Sequence, residues 1–335
     1  RGGGGTSPWS RASLQDHNRP DMDKPIRSLH HVTATVSDAQ EDLDFYTGLL
    51  GQRLVKKTVN FDNTGVYHFY YGDERGTPGT IMTTFPYGAW GVRQGRHGAG
   101  QITATSFSAP SGSLPFWRQR LTEMGVPFVD EASGYGEDVL RFTDPSGLVI
   151  RIVESRVDER EPWRGARVNS DSALRGIHGV TLTVRDPRQT LGFMTELMET
   201  AIVGEHEDGL RVAVNGDAPG RLVEIVRASE GTGAVNGLGT VHHVAFAVDD
   251  AEQQLEMRKE LLRRGVNVTE VMDRQYFRSI YFREPGGVLF EVATIPPGFT
   301  ADEAIGELGT SLKLPPWEEP HRASIEAALP AITVP

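Results

Sequence analysis

The eight residues Leu29-His30-His31-Val32-Thr33-Ala34-Thr35-Val36 return near the far end of the chain as Val241-His242-His243-Val244-Ala245-Phe246-Ala247-Val248. Each copy is followed by acidic residues and a helical pattern. A recurring unit restricts the chain to architectures built from copies of one supersecondary motif. From Ile26 onward the full pattern occurs four times: a strand, a helix opened by an acidic or Asp-Pro cap, then strands ending in a Gly-led apolar run.

In the first copy, 29–36 reads as a strand and 38–50 as a helix, with Leu43, Tyr46 and Leu50 on one face and Gly51 as its stop. Alternating runs at 66–71 and 80–85 are strands, divided by the turn Gly76-Thr77-Pro78-Gly79. The second copy has strands at 101–108, 139–142 and 148–153 and a helix over 114–124. The third has strands at 177–184 and 221–226 and a helix over 187–198. The fourth has strands at 241–248, 279–282 and 288–293 and a helix over 251–264. Asp144-Pro145-Ser146-Gly147 and Glu284-Pro285-Gly286-Gly287 make matching turns in the second and fourth copies.

The expected class is therefore α+β, built from four βαβββ modules. One module has a single apolar sheet face and cannot close a core alone, so modules pair into two half-open barrels. Residues 1–25, Gly- and Ser-rich without periodicity, read as a disordered extension or expression remnant, with Met22 as a natural start and His17 uninformative. Modules 1 and 2 span 26–155, a charged linker covers 156–172, and modules 3 and 4 span 173–297. A tail over 298–335, with helical patterns at 301–308 and 321–329, wraps the outside.

A formal net charge of −11 argues against sequence-independent nucleic-acid binding, which needs excess Lys and Arg. With no cysteine there is no disulfide, thiolate ligand or Cys nucleophile, so any metal must be held by His and carboxylate. No apolar run approaches the roughly 20 residues that span a bilayer, and no signal-peptide core precedes the first module. No membrane association and a cytoplasmic location are expected.

Strand alternation sorts the two His-His pairs. Val32, Ala34 and Val36 share a face with His30 and pack under the helix, leaving His31 on the concave face with Thr33 and Thr35. His243 takes the same register in the fourth module, beside Ala245 and Ala247. Glu291 is a carboxylate on an otherwise apolar strand, which is costly unless it is paired or metal-bound. A lone strand His is more often a core or surface residue than a ligand, but two in matching register with a Glu favour a metal.

Alignment of the modules gives two ligand-capable positions in each: His31 and Thr83, Gln101 and Arg151, Gly179 and Glu224, His243 and Glu291. Sequential pairing would isolate His31 and give the other barrel His243 with two carboxylates. Pairing module 1 with 4, and 2 with 3, instead collects His31, His243 and Glu291. That is the two-histidine, one-carboxylate facial set suited to non-haem Fe(II), and it is the pairing expected. The other barrel should be metal-free, with Arg151 and Glu224 ion-paired where ligands would stand. His68, His97, His178, His206 and His321 lack such support and read as structural; His178 aligns with His30, on the face opposite His31.

The four modules resemble the vicinal oxygen chelate superfamily of glyoxalases, bleomycin-resistance proteins and extradiol dioxygenases. Within it, 29–36, 76–86 and 279–291 resemble the hydroquinone-type ring-cleaving dioxygenases, as does Leu314-Pro315-Pro316-Trp317 in the tail. The resemblance implies Fe(II) on His31, His243 and Glu291, with Mn(II) chemically able to take the same ligands. It implies supporting roles for His30, Thr33, His242, Arg274 and Tyr281. Tyr281 would orient a bound phenolate oxygen, Arg274 would stabilise developing negative charge, and His242 or His30 would move protons. The implied substrates are O2 and a hydroquinone, chloro- and methyl-substituted rings included; homo-oligomerisation is left open. Two other readings remain: a glyoxalase-like metal-dependent lyase or isomerase, which suits sequential pairing, and a metal-free protein that sequesters a drug or quinone, against which the intact ligand set argues.

Overall fold

The computed structural model describes residues 25–165, 167–231 and 233–334. The expected extension, with His17 and Met22, lies outside the described residues except for Pro25. Module 1 comprises β1 (Ser28–Val36), α1 (Ala39–Leu43), β2 (Arg53–Asn60), β3 (Asn63–Gly72) and β4 (Ile81–Pro86). Module 2 comprises β5 (Gln101–Pro110), α2 (Leu114–Glu123), β6 (Phe128–Ala132), β7 (Asp138–Thr143) and β8 (Val149–Ser155). Module 3 comprises β9 (Gly176–Val184), α3 (Pro187–Met198), β10 (Ala201–His206), β11 (Gly209–Ala213) and β12 (Leu222–Arg227). Module 4 comprises β13 (Thr240–Val248), α4 (Ala251–Arg263), β14 (Met272–Asp273), β15 (Arg278–Arg283) and β16 (Leu289–Thr294). The tail ends in α5 (Arg322–Ala328).

Acidic caps open three of these helices. The side chains of Asp38, Asp186 and Asp250 accept backbone N–H bonds from the first turns of α1, α3 and α4, satisfying donors the helix cannot. The first helix of the sequence reading is an α-helical start that continues as a π-helical turn over Asp44–Leu49, and it still buries Leu43, Tyr46 and Leu50.

Two curled eight-stranded sheets result. One runs β14-β15-β16-β13-β1-β4-β3-β2 and the other β10-β11-β12-β9-β5-β8-β7-β6. Module 1 therefore pairs with 4 and module 2 with 3, each pair joined along its first strands, β1 antiparallel to β13 and β5 antiparallel to β9. No helix among the described residues is long and apolar enough to cross a membrane.

Several elements depart from the sequence reading. β2, β6, β10, β11 and the two-residue β14 lie outside the strands read from the sequence. β2 carries Arg53, Lys56 and Lys57, yet Lys56 is fully buried because Asp302 (2.6 Å) and Glu303 from the tail neutralise it. β6 and β10 are the two edges of the second sheet and largely exposed, so they carry little apolar alternation. The helix expected over 301–308 is instead two short 3-10 turns, Phe299–Ala301 and Ile305–Glu307. Between them Asp302 and Glu303 turn toward Lys56, which interrupts a continuous helix.

Candidate metal centre

The two barrel-joining strands carry paired β-bulges. Along the β1–β13 ladder Leu29 faces Phe246 and His31 faces Ala245, then Thr33 faces His243 and Ala34 faces Val241. One residue is thus left over on each strand, His30 on β1 and His242 on β13. A bulge leaves its extra residue unpaired and re-aims its side chain. This corrects the placement of His30: it does not join Val32 and Ala34 beneath the helix but stands beside His31, Nδ1 to Nδ1 at 2.9 Å, with its ring 5.0 Å from Phe277. His242 Nδ1 meets His243 Nδ1 at 2.8 Å in the same way.

With both Nδ1 atoms occupied, the two Nε2 atoms converge on Glu291. The His243 Nε2–Glu291 Oε2, His31 Nε2–Glu291 Oε2 and His31 Nε2–His243 Nε2 separations are 2.8, 3.3 and 3.3 Å. Three ligands about 2.1 Å from one ion at mutual right angles stand about 3.0 Å apart, so the set has the dimensions of one octahedral face. Glu291 Oε1 accepts a short hydrogen bond from Ser279, whereas Oε2 is buried without any well-directed hydrogen bond. An orphaned carboxylate oxygen facing two imidazole nitrogens is a donor set that fits a divalent metal. Among the described residues, this is the one cluster of three or more such side chains close enough to share an ion.

Ligation requires neutral imidazole and ionised carboxylate, and the shifts at Glu291 and His243 run in those directions. Burial pushes the Glu291 carboxyl up, but the imidazoles of His31 and His243 outweigh it and hold it well below the usual range. Burial lowers His243, with Glu291 opposing, and it lowers His30 to about 3, with His31 adding to the effect.

A cavity of about 360 Å³ opens over the two imidazoles. Thr33, His242, Arg274 and Tyr281 line it, whereas Glu291 and His30 lie behind the wall. Arg274 Nε donates to the Tyr281 hydroxyl at 3.1 Å, and its Nη1 lies 3.4 Å from Asp62 Oδ2. Burial and the nearby Glu291 charge push the Tyr281 phenol up, with Arg274 partly offsetting them, so it stays protonated. Phe61, Phe85, Tyr87 and Phe277 complete an aromatic slot. One wall residue was missed: His68, read as structural, faces this cavity and bonds to Thr83 at 2.8 Å. Its position two residues from Tyr70 on the alternating run 66–71 was the available signal.

The second barrel repeats the bulges without the ligands. The ladder pairs Ala104 with Thr181 and Ser106 with Gly179, so Ala104, not Gln101, takes the position matching His31. Gln101 bonds instead to Asn236 at 2.8 Å. A Cβ on Gly179, the position matching His243, would stand 2.7 Å from the Leu222 carbonyl oxygen, so this backbone leaves no room for a ligand side chain there. Arg151 Nη1 reaches Glu224 Oε2 at 3.1 Å, the expected ion pair, but it does not fill the barrel: a cavity of about 440 Å³ remains. His178 is the leftover residue of the β9 bulge and lies against that cavity, 3.1 Å from Glu137, which corrects its placement on the opposite face. His206 also faces that cavity; His97 ties to the Gly239 carbonyl at 2.8 Å, and exposed His321 lies 3.5 Å from Glu318.

A sequence profile described as the Glyoxalase/Bleomycin resistance protein/Dioxygenase superfamily matches residues 28–152 and 176–292. A Bacillus subtilis (strain 168) protein named as a ring-cleaving dioxygenase, MhqO, is 43% identical over 308 residues, covering 92% of this chain and 97% of the relative. The chlorohydroquinone/hydroquinone 1,2-dioxygenase of Sphingobium indicum is 37% identical over 303 residues, covering 88% of this chain and 93% of the relative. A crystal structure described as a dioxygenase from Bacillus subtilis superposes with a TM-score of 0.88 at 42% identity, covering 93% of this chain and 99% of that one.

Proposed function

The chain belongs to the Glyoxalase/Bleomycin resistance protein/Dioxygenase superfamily, and from that premise we propose that it is an Fe(II)-dependent dioxygenase that opens hydroquinone rings beside a hydroxyl-bearing carbon. The observation that carries this reading is the convergence of His31, His243 and Glu291 at the floor of an aromatic-walled cavity. His31 Nε2, His243 Nε2 and Glu291 Oε2 would hold the metal. When bound there, the metal would supply Lewis-acid and one-electron chemistry.

The chain's own groups then have separable tasks. The aromatic walls hold a planar ring and exclude water. Tyr281 accepts from Arg274, so its single O–H proton is free to point into the cavity and orient a substrate oxygen. The Arg274 guanidinium stabilises negative charge developing on the opening ring. His242 lines the cavity and is bonded to His243; burial and the His243 ring keep it neutral, so it would relay a proton from the cavity rather than hold one. His30 shares the His31 Nδ1 hydrogen bond and so fixes that ring's orientation.

The pairing of module 1 with 4 disfavours a glyoxalase-like lyase, which would draw on the carboxylate-richer sequential arrangement. Sequestration without catalysis needs no ligand set. The test is anaerobic loading with Fe(II), then oxygen uptake on adding hydroquinone: about one O2 consumed per ring opened supports the assignment, and no uptake with any hydroquinone or catechol rejects it.

A further inference from the structure

The two halves of the metal-bearing barrel are related residue by residue, and the relation extends beyond the ligands. In module 4, Tyr281 faces Glu291 across β15 and β16, and Ser279, two residues before Tyr281, donates to the Glu291 carboxylate. In module 1, Tyr70 faces Thr83 across β3 and β4, and His68, two residues before Tyr70, bonds through Nε2 to Thr83. Thr83 is thus the counterpart of the ligand Glu291, and His68 that of Ser279. A carboxylate held by a hydroxyl on one side has become a hydroxyl held by an imidazole on the other.

The hydrogen bonds in module 1 run in one direction. Thr83 Oγ1 donates to Thr33 Oγ1 at 3.0 Å. A hydroxyl carries a single proton, so Thr83 has none left for His68 and must accept from the imidazole Nε2–H at 2.8 Å. Thr33 in turn accepts from Thr83, and its own proton is free. Thr33 is buried, faces His243 across the barrel seam and lines the cavity. The His68 ring is clamped between Tyr70 and Phe85, with centroids 4.1 and 4.2 Å away, which fixes the direction of its N–H. The second barrel has no such device: the positions matching His68 are Val139 in module 2 and Gly209 in module 3.

We propose that His68 is a positioning residue which, through Thr83, aims the Thr33 hydroxyl as a hydrogen-bond donor at the oxygen ligands of the metal corner. A pre-aimed donor costs no reorganisation when charge develops on such an oxygen. The inference rests on the dioxygenase reading for its kinetic consequence, but its hydrogen-bond direction does not.

The experiment has two arms. In metal-free protein with labelled histidine, nitrogen NMR should find His68 as the Nε2–H tautomer, and Thr83→Val should shift that nitrogen; an Nδ1–H tautomer overturns the proposal. In iron-loaded protein, His68→Phe should lower kcat for oxygen uptake about tenfold, with bound iron per chain and the KM for hydroquinone unchanged. His68→Gln, whose amide N–H can still donate to Thr83, should stay within about threefold of the parent. Equal loss in the Phe and Gln variants, or loss through iron content alone, overturns the positioning role. A parent chain that takes up no oxygen refutes the dioxygenase reading, and the tautomer measurement then decides the hydrogen-bond direction by itself.

Discussion

Asp42 offers a stability prediction that is independent of the metal. It sits on α1 at 3% exposure, and both the Tyr71 hydroxyl (2.6 Å) and the Thr84 hydroxyl (2.5 Å) donate to its Oδ2. Among the described residues its Oδ1 has no hydrogen-bond partner, and neither do the neighbouring Tyr46 hydroxyl and Asp144 Oδ2. Burial pushes the carboxyl up to about 8 against the pull of the two hydroxyls, and Asp144 adds to the rise. A carboxyl whose pKa is raised on folding binds its proton more tightly in the native state. Its contribution is fully present below about pH 4 and is lost as pH climbs toward 8. At about 1.4 kcal/mol per unit, the span corresponds to roughly 6 kcal/mol. Asp42→Asn keeps the shape and cannot ionise, so the variant's stability relative to the parent should improve by several kcal/mol between pH 5 and pH 8.5. Urea unfolding of both proteins across that range measures the difference. Parallel stability curves would refute the argument, because they would mean Asp42 titrates alike in the folded and unfolded chains.

Two further perturbations follow from buried charge. Lys56→Met strands Glu303 in the interior beneath the tail and should cost about 3–5 kcal/mol, read as a fall in unfolding midpoint; a cost under about 1 kcal/mol would show that the tail does not depend on the pair. Arg151→Met removes the cation shared by Glu224 and Glu131 while Thr181 still donates to Glu224, which keeps partial solvent access, so it should cost roughly 1–3 kcal/mol while leaving iron content and oxygen uptake intact; loss of either would tie the second barrel to the chemistry.

What was legible in the chain follows from what alternation can express. The recurrence of 29–36 at 241–248 exposed the modules, and the in-register His31, His243 and Glu291 made sense only if modules 1 and 4 shared a barrel. Period-two reasoning failed where the ladder is not period two. The bulges turn His242 and His178 toward the cavities and set His30 against His31, and the matching shift in β5 moves the ligand-equivalent position from Gln101 to Ala104. β2 escaped notice because Lys56 can be buried only in company with Asp302 and Glu303, which arrive from far along the chain. His68 escaped for a related reason: its partner Thr83 is an ordinary strand threonine until β3 and β4 are laid side by side.

The central claim is that modules 1 and 4 build one metal site from His31, His243 and Glu291. Iron bound per chain after anaerobic loading and desalting tests it most directly, in the parent and in His31→Ala, His243→Ala, Glu291→Ala and Arg151→Met. The account predicts one iron in the parent and in Arg151→Met, and close to none in the three ligand variants, with all five proteins folded by circular dichroism. A full equivalent of iron retained by any of the three ligand variants would contradict it.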